Sequence, residues 1–266
     1  MVRPPGPGGP AVASARRAGA TGAPERWEAR LLFVHEVHRV KGAREEQFEA
    51  AFREGWMPAL AETDDARLLW YLNLAHGSGA AYTVVTVTGV ADAGAWGALD
   101  ERVRAGDLRE WAGEVDGLRH RSSAKVLVPV PWSPTRQIDL GSVPVAGAEH
   151  ELTLYMEDTA WPFAGGLQAY LAAAGTLYGE TLARSKKAGR SILEMEAAFQ
   201  PAFGTAQPTE VVLWQKVVNH EALLRLLTTE TDPARKAPGT WMHDALAVRD
   251  QWESRLLRTA GWSPLF

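Results

Sequence analysis

The 266-residue chain is 46% hydrophobic and 23% charged, the balance of a soluble globular protein long enough to bury a substantial core. Its formal net charge of −4 comes with no dominant basic face, which argues against nucleic acid as a partner. The chain has no cysteine, which excludes disulfides, thiolate catalysis and cysteine-ligated metals and suits a reducing cytoplasm; no apolar run approaches the roughly 18 residues of a membrane span.

Residues 1–27 are rich in Pro, Gly and Ala and predict a disordered tail without a signal peptide. Residues 29–40 (ARLLFVHEVHRV) predict a strand. Residues 44–60 carry Phe48, Ala51, Phe52, Trp56 and Leu60 at helical spacing. Residues 67–74 and 82–88 predict two strands joined by the loop His76-Gly77-Ser78-Gly79. A helix over 95–114, broken near Gly106, and a strand over 124–130 complete the first unit. Residues 135–149, with Pro144, Gly141 and Gly147, predict a linker. The order then repeats: a strand at 151–157, a helix at 166–185, a strand at 190–197, a Pro/Gly loop at 199–208 and a strand at 210–217. Helix follows at 221–228 and again over 239–253, with a closing strand at 254–259.

The repetition is visible in letters as well as in pattern. Residues 123–134 (SAKVLVPVPWSP) and 253–264 (ESRLLRTAGWSP) align so that Trp132-Ser133-Pro134 falls on Trp262-Ser263-Pro264. The chain therefore reads as two copies of one unit of roughly 110–130 residues, at 28–134 and 150–266. Each copy has the β-α-β-β-α-β order of a ferredoxin-like unit. Two such sheets, packed or edge-joined, predict an α+β fold: a pseudo-dimeric α+β barrel closed within one chain, with the helices outside and outer faces free for a homo-oligomer.

At this point the residues resemble a known family. Glu253–Leu257 followed by Trp262-Ser263-Pro264 is similar to the ending of NIPSNAP domains, and Glu210–Trp214 to their third strand with its tryptophan. Glu151–Tyr155 resembles their opening strand, although Thr153 stands where Arg is commoner. The first unit matches through Phe48, Gly55-Trp56 and Trp132-Ser133-Pro134. The resemblance implies the dimeric α+β barrel superfamily, whose members include cofactor-free monooxygenases, polyketide cyclases, muconolactone isomerases and haem-binding chlorite dismutases. It carries over no catalytic residue.

Strand parity supplies candidate site residues, because side chains two apart share a face. Glu36 and His38, Tyr71 and Asn73, Tyr155 and Glu157, and Glu194 and Glu196 make polar faces, and the second pair and the last are aligned with each other between the units. The expectation is that these faces line a central cavity, with Glu36, His38, Glu157, Glu194 and Glu196 as proton-transfer groups and Tyr71, Asn73 and Tyr155 as binding groups. The plain alternative is a hydrogen-bonded or solvated sheet face. A rival geometry puts the ligand between sheet and helices, where the opposite parity would place His35, Trp70 and Trp56; Trp214 is a further candidate wall residue. The spacing His35-x-x-His38 on a strand points the rings to opposite faces, so no metal site is expected. The leading expectation is a cytoplasmic enzyme of natural-product metabolism with no cofactor. It would cyclise, isomerise or oxygenate a hydrophobic aromatic or polyketide-like molecule. A non-catalytic binding or assembly protein is the alternative, and a haem protein using His243 the third.

Overall fold

The computed structural model describes residues 31–202 and 209–266. The expected tail 1–27 and most of the expected loop 199–208 lie outside the described residues.

The first unit opens with strand β1 (Leu32–Val40). Helix α1 (Glu45–Ala50) runs through a π-helical stretch (Ala51–Trp56) into α2 (Met57–Leu60). Strands β2 (Ala66–Leu74) and β3 (Thr83–Val90) follow, joined by a loop in which Gly77 takes the left-handed conformation at φ 81°. Helices α3 (Ala93–Arg104) and α4 (Arg109–Leu118) lead to β4 (Arg119–Pro129). Asp92 caps α3, accepting from the Ala95 amide at 2.9 Å.

The second unit repeats this with β5 (Leu154–Pro162), α5 (Leu167–Ala173), another π-helical stretch (Ala174–Tyr178) and α6 (Gly179–Lys187). Then come β6 (Leu193–Pro201), β7 (Val211–Val217), α7 (His220–Thr228), α8 (Trp241–Asp244) and β8 (Arg249–Thr259).

Within each unit the strands take the ferredoxin-like order, and the eight close into one antiparallel barrel, β1-β3-β2-β8-β5-β7-β6-β4. The two joints between units are short. β2 meets β8 over Leu72–Leu74, and β4 meets β6 over Leu127–Pro129. The repeated Trp-Ser-Pro phrases fasten these joints reciprocally. Ser263 Oγ accepts from the Tyr71 amide at 3.1 Å, and Ser133 Oγ accepts from the Ala198 amide at 2.9 Å. Next to them the Ala260 amide donates to Tyr71 O and the Val130 amide to Ala198 O, each at 3.0 Å. Each unit's terminal phrase thus caps the second strand of the other unit.

These bonds make Tyr71 the counterpart of Ala198. The expected alignment of Tyr71 and Asn73 with Glu194 and Glu196 is corrected by four residues in the first pair. Both second strands carry a bulge, at Leu68–Trp70 and at Met195–Ala197, and the same offset superposes them.

Several element boundaries also differ from expectation: β5 and β6 run on to Pro162 and Pro201, past the expected 157 and 197. Residues 249–253 are strand, not helix, because they pair with Thr159–Pro162 of β5. β4 starts at Arg119 rather than 124, extended by pairing with Val37–Val40 of β1. The linker is structural: Leu140 and Val143 are buried in the same cluster as the barrel interior, Leu140 against Gly89.

Candidate functional site

The barrel interior is walled by alternate residues of every strand, and its middle is aromatic. Phe33, Trp70, Tyr155, Phe199 and Trp214 are fully buried there in one cluster with Leu72, Val85, Val87 and Leu127. Trp70 and Trp214 lie 5.5 Å apart between ring centroids, and Trp70 Nε1 donates to Tyr155 Oη at 3.3 Å.

Into this apolar wall the fold inserts a charged pair. His35 from β1 and Glu157 from β5 come from opposite units and approach to 3.4 Å between Nε2 and Oε2, each with about 2% of its surface exposed. The distance is that of an ion pair, but the angles make no hydrogen bond. His35 Nε2, Glu157 Oε2 and the nearby Trp214 Nε1 are therefore buried polar atoms without a hydrogen-bond partner among the described residues. Such atoms are uncommon, since each one forgoes water without replacement. The His35 and Trp214 rings meet edge to face at 6.0 Å.

Burial alone would raise the Glu157 carboxyl. The charges of His35, Arg255 and Lys125 outweigh it and hold the group below the ordinary carboxylate range. Arg255 Nη1 lies 3.8 Å from Glu157 Oε1. Lys125, opposite His35 in register, is paired with the buried Glu210.

Arg255 also belongs to a cleft of about 690 Å³ at the end of the barrel, open to solvent. β1, β4, β8 and the β2–β3 loop line it, through Val37, Arg39, Leu74, Arg121, Ser123 and Arg255 among others. The volume is in the range of small-molecule sites, roughly 300–1,000 Å³.

The sequence-predicted residues divide among the lumen, the helix side of the first sheet and a rim of the barrel. Tyr155, Glu157, Trp70, Trp214 and His35 are brought together in the lumen. His35 and Trp70 belong there rather than between sheet and helices, which corrects the rival geometry. Glu36, His38, Tyr71 and Asn73 do not face the lumen. They lie on the opposite face of the first sheet, and His38 packs between Phe48 and Phe52 at ring distances of 5.1 and 5.5 Å. Its Nε2 bonds Thr86 Oγ1 at 3.0 Å, and Arg119 Nη1 donates to its Nδ1 at 2.8 Å. Both ring nitrogens are used, and burial followed by the Arg119 charge lowers its pKa to about 3, so it is neutral and engaged. Burial raises the half-buried Glu36 carboxyl, with Arg119 opposing. Tyr71 packs with tilted rings against Phe52 and Trp262 on that same helix side.

Trp56, also on the helix side, donates to Thr88 Oγ1 at 3.1 Å and stacks on Trp111 at 4.6 Å. Glu194 and Glu196 sit at a rim of the barrel near Lys216, which donates to the Phe266 carbonyl. Glu194 is ion-paired with Lys186 at 3.1 Å. Burial raises Glu196, partly offset by Lys216.

Arg39, Arg121, Lys125 and Arg255 were not singled out from sequence. The signal was present: Arg121, Ser123, Lys125 and Leu127 alternate along β4, and a strand begun at 119 displays it.

A haem does not fit the second unit. The space between its sheet and helices is occupied by Tyr170, Leu171, Tyr178 and Trp241, with Tyr178 and Trp241 stacked at 5.2 Å. His243, the histidine considered for it, is exposed and engaged by Asp244 at 2.8 Å. Among the described residues no group of three or more His, Cys, Asp or Glu is placed to hold a metal, and no helix is long and apolar enough to cross a membrane.

No family model matches the sequence, and no curated protein matches it. Solved structures do match in fold. A protein from Lactobacillus acidophilus NCFM, named provisionally as a monooxygenase, aligns over 89% of this chain and 98% of its own, with TM-score 0.54 and 13% identity. An anthrone oxidase-like protein aligns over 88% of this chain and 92% of its own, with TM-score 0.53 and 10% identity. A NIPSNAP family protein from Agrobacterium tumefaciens strain C58 covers 40% of this chain and 99% of its own, with TM-score 0.35 and 17% identity. The architecture these structures share with this chain is an α+β barrel, closed here within one chain. At these identities the likeness is one of fold.

Proposed function

We propose that this chain is a cytoplasmic enzyme of natural-product metabolism that takes a hydrophobic aromatic or polyketide-like molecule at the barrel mouth and removes a proton from it, without metal or cofactor. Proton removal is the step shared by cyclisation, isomerisation and oxygenation of such carbon acids. The observation that carries the reading is the His35–Glu157 pair, with its unpartnered buried atoms, set among Trp70, Trp214 and Tyr155 and linked to the cleft by Arg255, 3.8 Å from Glu157.

The surroundings of each residue support one role. His35 Nε2 is the proton carrier. Glu157, held ionised 3.4 Å from that nitrogen, stabilises by its charge the imidazolium that forms. Arg255 reaches from the cleft to Glu157 and meets the oxyanion that develops when the carbon acid loses its proton. The tryptophans supply flat apolar walls for aromatic rings. The architecture shared with monooxygenase-like structures supports oxygenation as the outcome when the carbanion meets dioxygen.

Anthrone, an aromatic ketone with an acidic methylene, is a suitable substrate for the test. Under anaerobic conditions in D₂O the protein is expected to speed exchange of the methylene protons, read by NMR, by about a hundredfold, the usual worth of a positioned acid–base group. Glu157→Gln and His35→Asn should lose this while keeping native tryptophan emission. Exchange at the buffer rate with folded wild-type protein refutes the reading.

A further inference from the structure

We propose that the cleft at the barrel mouth binds an anionic group of the ligand, a carboxylate or phosphate attached to the aromatic body that the lumen receives. The inference rests on the reading of the cleft as the substrate site. Three guanidinium groups line it, from Arg39, Arg121 and Arg255, against the single carboxylate of Glu253.

Their convergence is built by the register. On β1 the inward series His35, Val37, Arg39 runs out to the mouth, and Arg39 stands opposite Arg121 of β4. Arg255 comes from the other unit on β8. In a chain of net charge −4 this is a local concentration of positive charge, and like charges held together in a concave site are relieved by an anion.

The cluster is partly preorganised. Arg39 Nη1 donates to Ala80 O at 3.2 Å and to Thr83 Oγ1. Arg255 is braced between Glu253 at 3.3 Å and Glu157 at 3.8 Å. Arg121 is exposed and its side chain makes no hydrogen bond or ion pair among the described residues, so its fork is free. A planar fork fits both oxygens of a carboxylate or phosphate, and Ser123 adds a hydroxyl beside it. The ligand so defined is amphipathic, with flat rings directed inward to Trp70 and Trp214 and acid outward.

Isothermal titration of the full chain at low salt, with 2-naphthoate, 2-naphthyl phosphate and the neutral 2-naphthamide, tests this. At least one anion should bind about tenfold more tightly than the amide and weaken as salt is added. The tighter anion identifies the group. Arg121→Gln should remove about tenfold of anion affinity and leave the amide unchanged, and Arg121→Glu should remove more; the exposed position makes both variants safe for folding. Equal binding of amide and anions, or anion affinity untouched in both Arg121 variants, overturns the proposal. It would leave the proton-transfer reading standing if anthrone exchange persists. Failure of every naphthalene compound to bind overturns it too, and failure of the exchange assay as well removes both.

Discussion

His38 gives the sharpest test of the packing described here, because its environment sets both the sign and the size of an effect. Arg119 donates to Nδ1, so the ring proton sits on Nε2 and points at Thr86 Oγ1. Adding a second proton places a buried charge beside a guanidinium, with His35 also nearby. The unfolded chain binds that proton at the ordinary histidine value of 6.5, while the folded chain resists it down to about 3. Between these values the unfolded state holds more protons. Stability is therefore complete above pH 6.5 and is lost as pH falls toward 3. The slope reaches about 1.4 kcal/mol per pH unit, so moving from neutral pH to about pH 4.5 costs about 2–3 kcal/mol from this residue alone. His38 is fully buried, so solvent screening leaves this magnitude intact. His38→Gln keeps an amide that can bond Thr86 and cannot titrate. Urea unfolding followed by tryptophan emission, at about pH 7, 5.5 and 4.5, should show the wild type losing this amount relative to the variant. The raised carboxyl of Glu36 acts in the opposite sense, losing stability as pH rises through its range, but it is common to both proteins and cancels. Parallel pH curves for the two proteins would refute the reasoning.

Two further predictions concern the repeated architecture. A Cβ on Gly55 would lie 2.8 Å from Trp111 Cδ1 and Nε1; that ring is held by stacking on Trp56 and by a bond to Ala51 O at 2.9 Å, so Gly55→Ala should cost about 1–3 kcal/mol and lower the melting temperature by several degrees. Gly175 meets Trp132 in the same way at 2.6 Å, and an unchanged melt in both Gly→Ala variants would show that the rings can give way. Ser133→Ala and Ser263→Ala each strand a buried strand amide at a joint between the units, at a cost of about 1–3 kcal/mol; calorimetry should find both destabilising, and a neutral pair would mean that the repeated phrase is no clasp.

Much of the architecture was legible because it is periodic. Helical spacing from Phe48 to Leu60, β-branched residues in 82–88 and the doubled Trp-Ser-Pro phrase are local facts that the fold obeys. What the letters hid was set by partners far along the chain. Residues 249–253 (RDQWE) have no strand signature of their own and are extended because β5 pairs with them. The linker residues Leu140 and Val143 look like loop until the barrel interior gives them an apolar surface to cover.

The first unit's face in the candidate site differs from expectation for one physical reason, while Tyr155 and Glu157 of the second unit lie inside as expected. An isolated antiparallel sheet wets its polar side, and that rule sends Glu36 and His38 to the cavity and His35 to the helices. A closed barrel under helices has no wet side. Its interior is the more apolar face, and a lone polar residue on that face is the anomaly with meaning. His35 stands among Phe33 and Val37, and Glu157 shares its face with Tyr155; both are such anomalies, and they find each other across the barrel. The polar residues beneath the helices are instead satisfied locally, His38 by Thr86 and Arg119. The bulges compound the difficulty. One extra residue at Leu68–Trp70 lets Leu69 and Trp70 both join the interior and puts Tyr71 outside, so strict two-residue alternation fails in the strand that supplies a wall of the site. In this fold the signal that points to a candidate site is therefore the exception to the apolar pattern rather than the polar run, and it leads from His35 and Glu157 outward through Arg255 to the mouth.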